Sequence, residues 1–107
     1  RIWSTKTGDC KHALKCFTAT SPEREYLTCA IFSTGGALVL IAYRDLENSA
    51  NDPTQLGKCK IYNVETGRLV WLLRGHIDEV LSARFSADNS SVVTASNDGT
   101  ARMWNME

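Results

Sequence analysis

The chain has 107 residues, with 12 basic and 12 acidic side chains, so its formal net charge at pH 7 is zero. Because the basic residues are scattered rather than clustered, nucleic acid is not an expected ligand. The longest apolar run, residues 37–43, is too short to cross a membrane, so no membrane partner is expected.

Short apolar segments separated by turn residues predict strands along the whole chain. In chain order these strands cover about residues 11–17, 27–32, 38–43, 58–63, 68–73, 80–85, 91–95 and 100–105. No segment has a helical periodicity. Between the last two strands, Asn97-Asp98-Gly99 predicts a tight turn, because Asn, Asp and Gly tolerate the positive φ that such turns need. The sequence therefore predicts an all-β fold.

The four cysteines do not form a recognisable metal motif. Cys10, Cys16, Cys29 and Cys59 lack the paired Cys-x-x-Cys spacing of zinc sites. We expect reduced thiols packed as small apolar groups, with no metal and no cofactor. This favours a cytoplasmic protein, with the nucleus as the alternative.

The predicted strands recur as an internal repeat. Residues 26–45 align without a gap on residues 79–98, and residues 57–63 align on residues 99–105. Tyr62 and Trp104 lie 42 positions apart, whereas Trp3 and Tyr62 lie 59 apart. Two insertions, at about residues 18–25 and 46–56, account for the difference. The repeat period is therefore about 42 residues, the length of a unit of four short strands.

The last unit contains Gly75-His76 near its start, Asp98 in its tight turn and Trp104 near its end. This run resembles a WD repeat, in which Gly-His opens the unit and Trp-Asp closes it about 40 residues later. The resemblance implies two four-stranded antiparallel blades of a WD-repeat β-propeller. About two repeats cannot close a ring, so a segment of a larger propeller is expected.

The resemblance also implies a division of the chain. Residues 1–17 are expected to be the end of a preceding repeat with its outer strand. Residues 18–73 are expected to form the first blade, with insertions at about 18–25 and 46–56. Residues 74–107 are expected to form the second blade, which lacks its outer strand.

Four residues of the last unit make a candidate hydrogen-bond network: His76, Ser96, Asp98 and Trp104. The resemblance implies a chain from the indole N–H through the hydroxyl and the imidazole to the carboxylate, which stabilises the blade. A Ser-His-Asp catalytic triad is the alternative. It is disfavoured because Ser96 lies in a predicted strand without flanking glycines. In the first blade Tyr43 replaces the serine and Tyr62 the tryptophan, so we expect that blade to depend on apolar packing.

In a blade built like a WD repeat, the two insertions emerge on the same face. Other proteins or peptides are expected to bind there, and the remaining blades of the propeller to pack beside the chain. A solvated insertion without a role is the plainer alternative for residues 46–56.

The leading hypothesis is a non-enzymatic scaffold within a multiprotein complex. Two alternatives stay open: recognition of a histone tail or nucleic acid by the propeller face, and a regulatory propeller in a larger enzyme or signalling protein. Candidate contacts are Tyr26, Arg44, Asn51, Asp52, Glu79 and Asn97.

Overall fold

A computed structural model describes residues 1–12, 25–45 and 57–106. These residues form strands and turns, and none belongs to a helix that could span a membrane. The prediction of an all-β fold is confirmed. The strands are β1 (Ile2–Trp3), β2 (Cys10–His12), β3 (Glu25–Phe32), β4 (Leu38–Asp45), β5 (Gly57–Asn63), β6 (Leu69–His76), β7 (Val80–Phe85), β8 (Ser91–Ser96) and β9 (Ala101–Asn105).

The strands form three antiparallel sheets in which neighbours in sequence are neighbours in space. Strands β1 and β2 form a two-stranded sheet, β3 to β6 form a four-stranded sheet that we call the first blade, and β7 to β9 form a three-stranded sheet that we call the second blade. Within the described ranges the sheets do not close into a ring. The predicted antiparallel blades are confirmed, and the described part of the second blade consists of three strands.

The backbone reproduces the repeat seen in the sequence. Val39 pairs with Tyr62 in the first blade, and Val92 pairs with Trp104 in the second. A bulge between Leu27 and Cys29 in β3 recurs at the equivalent position of β7. The two blades therefore share strand register as well as sequence pattern.

The main core lies between the blades. The back face of the first blade, which carries Leu40 and Ile61, packs on the front face of the second, which carries Val80 and Val92. All four side chains are fully buried. Fully burying one such side chain contributes about 1.5–3 kcal/mol, so this interface holds the blades together.

A smaller core lies on the front face of the first blade, where Val39, Ile41 and Tyr62 pack with Ile2 of β1. The central strand β4 is thus covered on both faces. This explains the apolar run in β4, because a strand that is buried on both faces has a continuous apolar sequence rather than an alternating one.

Polar contacts join the two blades at the turn beyond the core. The Asn89 amide oxygen accepts the Thr34 N–H at 3.0 Å, and the amide nitrogen donates to the Thr34 carbonyl at 2.8 Å. Asn89 has a φ of 61°, which Asn tolerates better than most residues. Further along the interface, the Thr28 hydroxyl donates to the Val80 carbonyl at 2.7 Å.

Strand β6 continues past its predicted end at Leu73 as far as His76. The cause is pairing with the start of β5, where His76 lies opposite Gly57 after a bulge. This extension carries His76 into the interface between the blades.

Candidate functional site

A buried chain of hydrogen bonds links the end of β6 with β8, β9 and the turn between them. His76 Nδ1 lies 2.9 Å from Asp98 Oδ2, and His76 Nε2 lies 2.6 Å from Thr94 Oγ1. The Trp104 indole N–H donates to the same Thr94 oxygen at 2.9 Å. The His76 ring is 1 % exposed and Thr94 is fully buried.

The donor pattern assigns the tautomer of the histidine. An indole nitrogen can only donate, so the Thr94 oxygen accepts from Trp104 and its own O–H remains free to donate to His76 Nε2. Nε2 is then the acceptor and Nδ1 carries the proton that is donated to Asp98. A neutral imidazole in this tautomer satisfies every group in the chain, as buried polar groups require.

The prediction that Ser96 supplies the central hydroxyl is wrong, because Thr94 occupies that position. Thr94 and Ser96 share a face of β8, but Trp104 lies opposite Val92, so its indole reaches the diagonal neighbour Thr94. Ser96 instead donates to the Asp78 carbonyl at 3.1 Å and accepts the Asp98 N–H at 3.1 Å. It therefore shapes the turn that presents Asp98. Period-2 alternation along β8 places both hydroxyls on the same face, so it makes Thr94 a candidate without favouring it over Ser96.

The Asp98 carboxylate accepts several hydrogen bonds in addition to the one from His76. The Thr100 N–H donates to it at 2.8 Å and the Ile77 N–H at 3.1 Å, and the Thr100 hydroxyl also donates. Burial by itself would raise the pKa of Asp98. The hydrogen bonds from the Thr100 side chain, His76 and the two backbone groups outweigh burial and hold this pKa well below its usual range.

Replacing Asp98 with Asn should cost stability in a pH-dependent way. An aspartate whose pKa is lowered on folding stabilises the protein above its unfolded pKa of about 3.9, and this contribution is lost as the pH falls toward the folded value. We therefore expect the difference in unfolding free energy between wild type and Asp98→Asn to be constant from pH 7 to 5 and to shrink below about pH 4. Urea titrations across this pH range measure it, with the exposed variant Asp9→Asn as control. A difference that persists unchanged at pH 3 would contradict the assignment.

The glycine before His76 has its own structural requirement. Gly75 has a φ of 150°, in the region that side chains rarely adopt. A Cβ there would also lie 2.6 Å from Arg102 Nη1 and 3.4 Å from the Trp104 ring. Gly75 thus lets the chain pass close to the indole and places His76 beside Thr94.

The first blade has no equivalent polar chain among its described residues. The position equivalent to Thr94 is Ile41, and the position equivalent to Trp104 is Tyr62. Both pack in the small core with Val39. Sequence comparison aligns Tyr43 with Ser96. Because the central hydroxyl of the second blade belongs to Thr94, the corresponding residue of the first blade is Ile41.

A second group of candidate residues lies where the blades meet at the other end of the strands. Arg44 Nη1 forms an ion pair with Glu79 Oε1 at 3.1 Å, with side chains 32 % and 16 % exposed. The Asn97 N–H donates to the Glu79 carbonyl at 2.9 Å, and the Asn97 side chain is exposed. The Tyr26 backbone pairs with Arg44, and its side chain is not among those described. Asn51 and Asp52 lie outside the described residues.

The described cysteines are free thiols: Cys10, Cys29 and Cys59. Cys29 and Cys59 both pair with Ala42, one on each side of β4, which places them two strands apart, about 10 Å. That separation is too long for a disulfide. Burial, with a smaller effect of Cys29, raises the pKa of Cys59 to about 12. In the described ranges no three His, Cys, Asp or Glu side chains could hold a metal ion together.

A family model described as WD domain, G-beta repeat matches residues 67–105. Residues 67–105 match a WD repeat. The match begins in the turn before β6 and ends with β9, so it contains His76, Thr94, Asp98 and Trp104. The resemblance noted from the sequence is confirmed.

Curated relatives match the chain over a short stretch. The chain is 43 % identical over 47 residues to a bromodomain and WD repeat-containing protein of Dictyostelium discoideum, which takes in 44 % of this chain and 2 % of that protein. It is 38 % identical over 47 residues to jouberin of Rattus norvegicus and Mus musculus, 44 % of this chain and 4 % of theirs. The chain thus spans a small fraction of the length of these relatives.

Solved structures share the fold. The C-terminal WD40 domain of Sif2 matches with a TM-score of 0.65 and 20 % identity over 86 % of this chain and 22 % of that one. The computationally designed protein Ika4 matches with a TM-score of 0.69 and 24 % identity over 98 % of this chain and 52 % of that one. The computationally designed protein Ika8 matches with a TM-score of 0.68 and 24 % identity over 97 % of this chain and 26 % of that one. The predicted propeller architecture is confirmed.

Proposed function

We propose that this WD-repeat segment is a non-enzymatic scaffold that binds other proteins or peptides at one end of its blades. The observation that carries the proposal is the group formed by Arg44, Glu79 and Asn97, which spans both blades at that end. Strand β3 begins and strand β4 ends at the same end, with Glu25 opposite Asp45. A surface built by both blades is rigid, and charged or amide side chains on a rigid scaffold suit peptide recognition.

The buried hydrogen-bond chain supports a structural role rather than a catalytic one. Thr94, His76 and Asp98 follow the order hydroxyl, imidazole, carboxylate found in hydrolytic triads. However, Thr94 is fully buried and its oxygen already accepts the Trp104 N–H. A nucleophile needs access to substrate, and this hydroxyl has none, so its bonds serve the fold.

Similarity to a protein described as bromodomain and WD repeat-containing favours a place for this segment beside other domains in a longer protein. The alternative of a propeller that regulates a larger protein is compatible with the same binding surface. We propose the cytoplasm or the nucleus as its location, which suits the buried thiol of Cys59.

Adding a positive charge at Asn97 tests the binding surface. We expect Asn97→Arg to reduce the retention of bound proteins at least about tenfold, because substitution of a hot-spot residue at the centre of an interface costs about 2 kcal/mol or more, and about 1.4 kcal/mol already corresponds to a tenfold loss. Immobilised wild-type and variant chains are exposed to the same cell extract, and retained proteins are quantified by mass spectrometry. Thermal unfolding shows that each variant is folded.

The matched control is Ala87→Arg, which adds the same charge at an exposed turn at the opposite end of the second blade. It should retain the same proteins as wild type. Equal losses in both variants would indicate a charge effect without a site, and no loss in either would contradict the proposed surface.

A further inference from the structure

The turn between β7 and β8 carries asparagine where the equivalent turn of the first blade carries glycine. Asn89 aligns with Gly36, and the two residues have φ values of 61° and 79°. The Asn89 N–H donates to the Ser86 carbonyl at 3.0 Å. In the same way, the Gly36 N–H donates to the Ser33 carbonyl at 2.9 Å. Glycine adopts a positive φ without steric cost, so the backbone of this turn does not need asparagine. The role of Asn89 therefore lies in its side chain.

The Asn89 side chain joins the second blade to the first. Its amide oxygen accepts the Thr34 N–H at 3.0 Å, and its amide nitrogen donates to the Thr34 carbonyl at 2.8 Å. Residues of an antiparallel ladder exchange a pair of bonds in the same way, so the carboxamide takes the place of a backbone partner. The reversed amide would set donor against donor and acceptor against acceptor, which fixes its orientation. We call this pair of bonds the Asn89 clasp.

The clasp uses one particular hydrogen of the Asn89 amide group. A carboxamide is planar, and one hydrogen on Nδ2 lies on the same side as Oδ1, while the other points away from it. Oδ1 and Nδ2 both contact the backbone of the same residue, Thr34. The hydrogen on the Oδ1 side is therefore the one donated to the Thr34 carbonyl.

The same nitrogen belongs to a sequence that directs N-linked glycosylation. Asn89-Ser90-Ser91 fits the Asn-x-Ser/Thr acceptor pattern, and it is the single such site in the 107 residues. Attachment forms a bond from Nδ2 to C1 of a sugar, which leaves the diphosphate of its activated donor, while Nδ2 loses one proton. The side chain is then a secondary amide, which strongly prefers the trans form. In that form C1 lies on the Oδ1 side, where the clasp has its donated hydrogen.

Hydrogen bonds within the turn hold Asn89 in its place. Asp88 Oδ1 accepts the Ser90 N–H at 3.0 Å, the Ser90 hydroxyl at 2.8 Å and the Ser86 hydroxyl at 2.7 Å. The bonds from the Ser90 N–H and from the two hydroxyls lower the pKa of Asp88 to about 2, so this carboxylate stays ionised at neutral pH. The turn thus keeps the Asn89 amide directed at the first blade.

We propose that the fold occupies its own glycosylation site: the Asn89 amide either carries a sugar or joins the two blades, and never both. A chain that receives the sugar before it folds has its blades joined by the apolar core without the clasp. A chain that folds first has its acceptor nitrogen bonded to Thr34. The clasped protein is therefore unmodified at Asn89, which is compatible with the cytoplasmic or nuclear location proposed above. The clasp lies at the opposite end of the strands from the peptide-binding surface and does not depend on it.

Production in a eukaryotic secretory pathway supplies the sugar during synthesis. The control Ser91→Ala removes the acceptor pattern but keeps Asn89, and its backbone N–H still donates to Ser86 Oγ. Chains with the added glycan mass should exchange the Thr34 amide hydrogen about five to ten times faster than Ser91→Ala, because one hydrogen bond is lost. The Gly36 amide, in the same turn as Thr34, is the internal reference. Glycosylated chains with the exchange rate of the control would overturn the proposal.

Asn89→Asp tests the clasp in the unmodified chain, whichever form the secretory host yields. Aspartate tolerates the positive φ and keeps the acceptor, but it lacks the N–H, and its second oxygen faces the Thr34 carbonyl. We expect a melting temperature about 4–8 °C below that of wild type. The control Thr5→Asp adds the same charge at an exposed turn of the β1–β2 sheet, and it should melt like wild type. Equal melting temperatures of the two variants would show that the donated hydrogen is dispensable and would overturn the proposal.

Discussion

Replacing Gly57 with Ala is expected to destabilise the protein by about 3 kcal/mol, at the upper end of the cost of overpacking a core. A Cβ at this position would lie 1.9 Å from the Asp78 carbonyl oxygen and 3.1 Å from the His76 Cβ. The nearest obstacle is backbone, which cannot rotate away as a long side chain can. The Asp78 carbonyl also accepts the Ser96 hydroxyl, so its displacement would disturb the turn that holds Asp98. Chemical denaturation monitored by tryptophan fluorescence measures the loss.

Gly36→Ala is the matched control for this effect. Gly36 has a φ of +79° with open space around it, so alanine there adds backbone strain but no collision. That strain costs about 1–2 kcal/mol for a residue with a Cβ in the left-handed region. Gly57→Ala should therefore be the more damaging of the two substitutions. The reverse order would show that the close approach of β5 to Asp78 is not a tight constraint.

The role of Gly57 cannot be predicted by comparing the two repeats. The repeat aligns Gly57 with Gly99, which belongs to the predicted tight turn Asn97-Asp98-Gly99. Gly99 has a φ of +83° with nothing near it, as a turn glycine requires. Gly57 is the first residue of β5. It must be glycine because a Cβ at this position would collide with the Asp78 carbonyl. The contact joins residues of different blades, so a local pattern cannot reveal it.

The fold itself was predictable because its signals are local or periodic. The apolar run in β4, the Asn97-Asp98-Gly99 turn and the spacing from Tyr62 to Trp104 each correspond to a feature of the observed blades. Propeller blades are built from hairpins between consecutive strands, so correct strands and turns suffice to give the sheet order.

The hydrogen-bond chain was predictable only in part. Motif spacing identifies His76, Asp98 and Trp104, which the structure brings together around one hydroxyl. The choice between Thr94 and Ser96 depends on which residue of β8 lies diagonal to Trp104. That relation depends on the register of β8 against β9. A register shifted by two residues would leave the same side chains on the same face, so the sequence pattern fits both registers.

Replacing Thr94 with Val should destabilise the protein by about 2–4 kcal/mol, because two buried groups lose their partner at once. Valine preserves the shape of threonine but leaves the Trp104 N–H without an acceptor and His76 Nε2 without a donor. Ser96→Ala should cost about 1 kcal/mol, since Ser96 is only partly buried and water can replace its hydroxyl. Denaturant titrations of both variants measure the difference. A larger loss in Ser96→Ala would restore the serine as the central hydroxyl.

The double variant His76→Ala with Thr94→Val separates a connected chain from two independent contacts. Each single substitution leaves a polar group of the other residue without its partner, whereas the double substitution removes both groups. The double variant should therefore lose less stability than the two single variants together, by about 1 kcal/mol or more. Val93→Ala, on the exposed back face of the second blade, is the control partner and should combine additively with Thr94→Val. Strict additivity of His76→Ala and Thr94→Val would mean that the imidazole and the hydroxyl act separately, although they lie 2.6 Å apart.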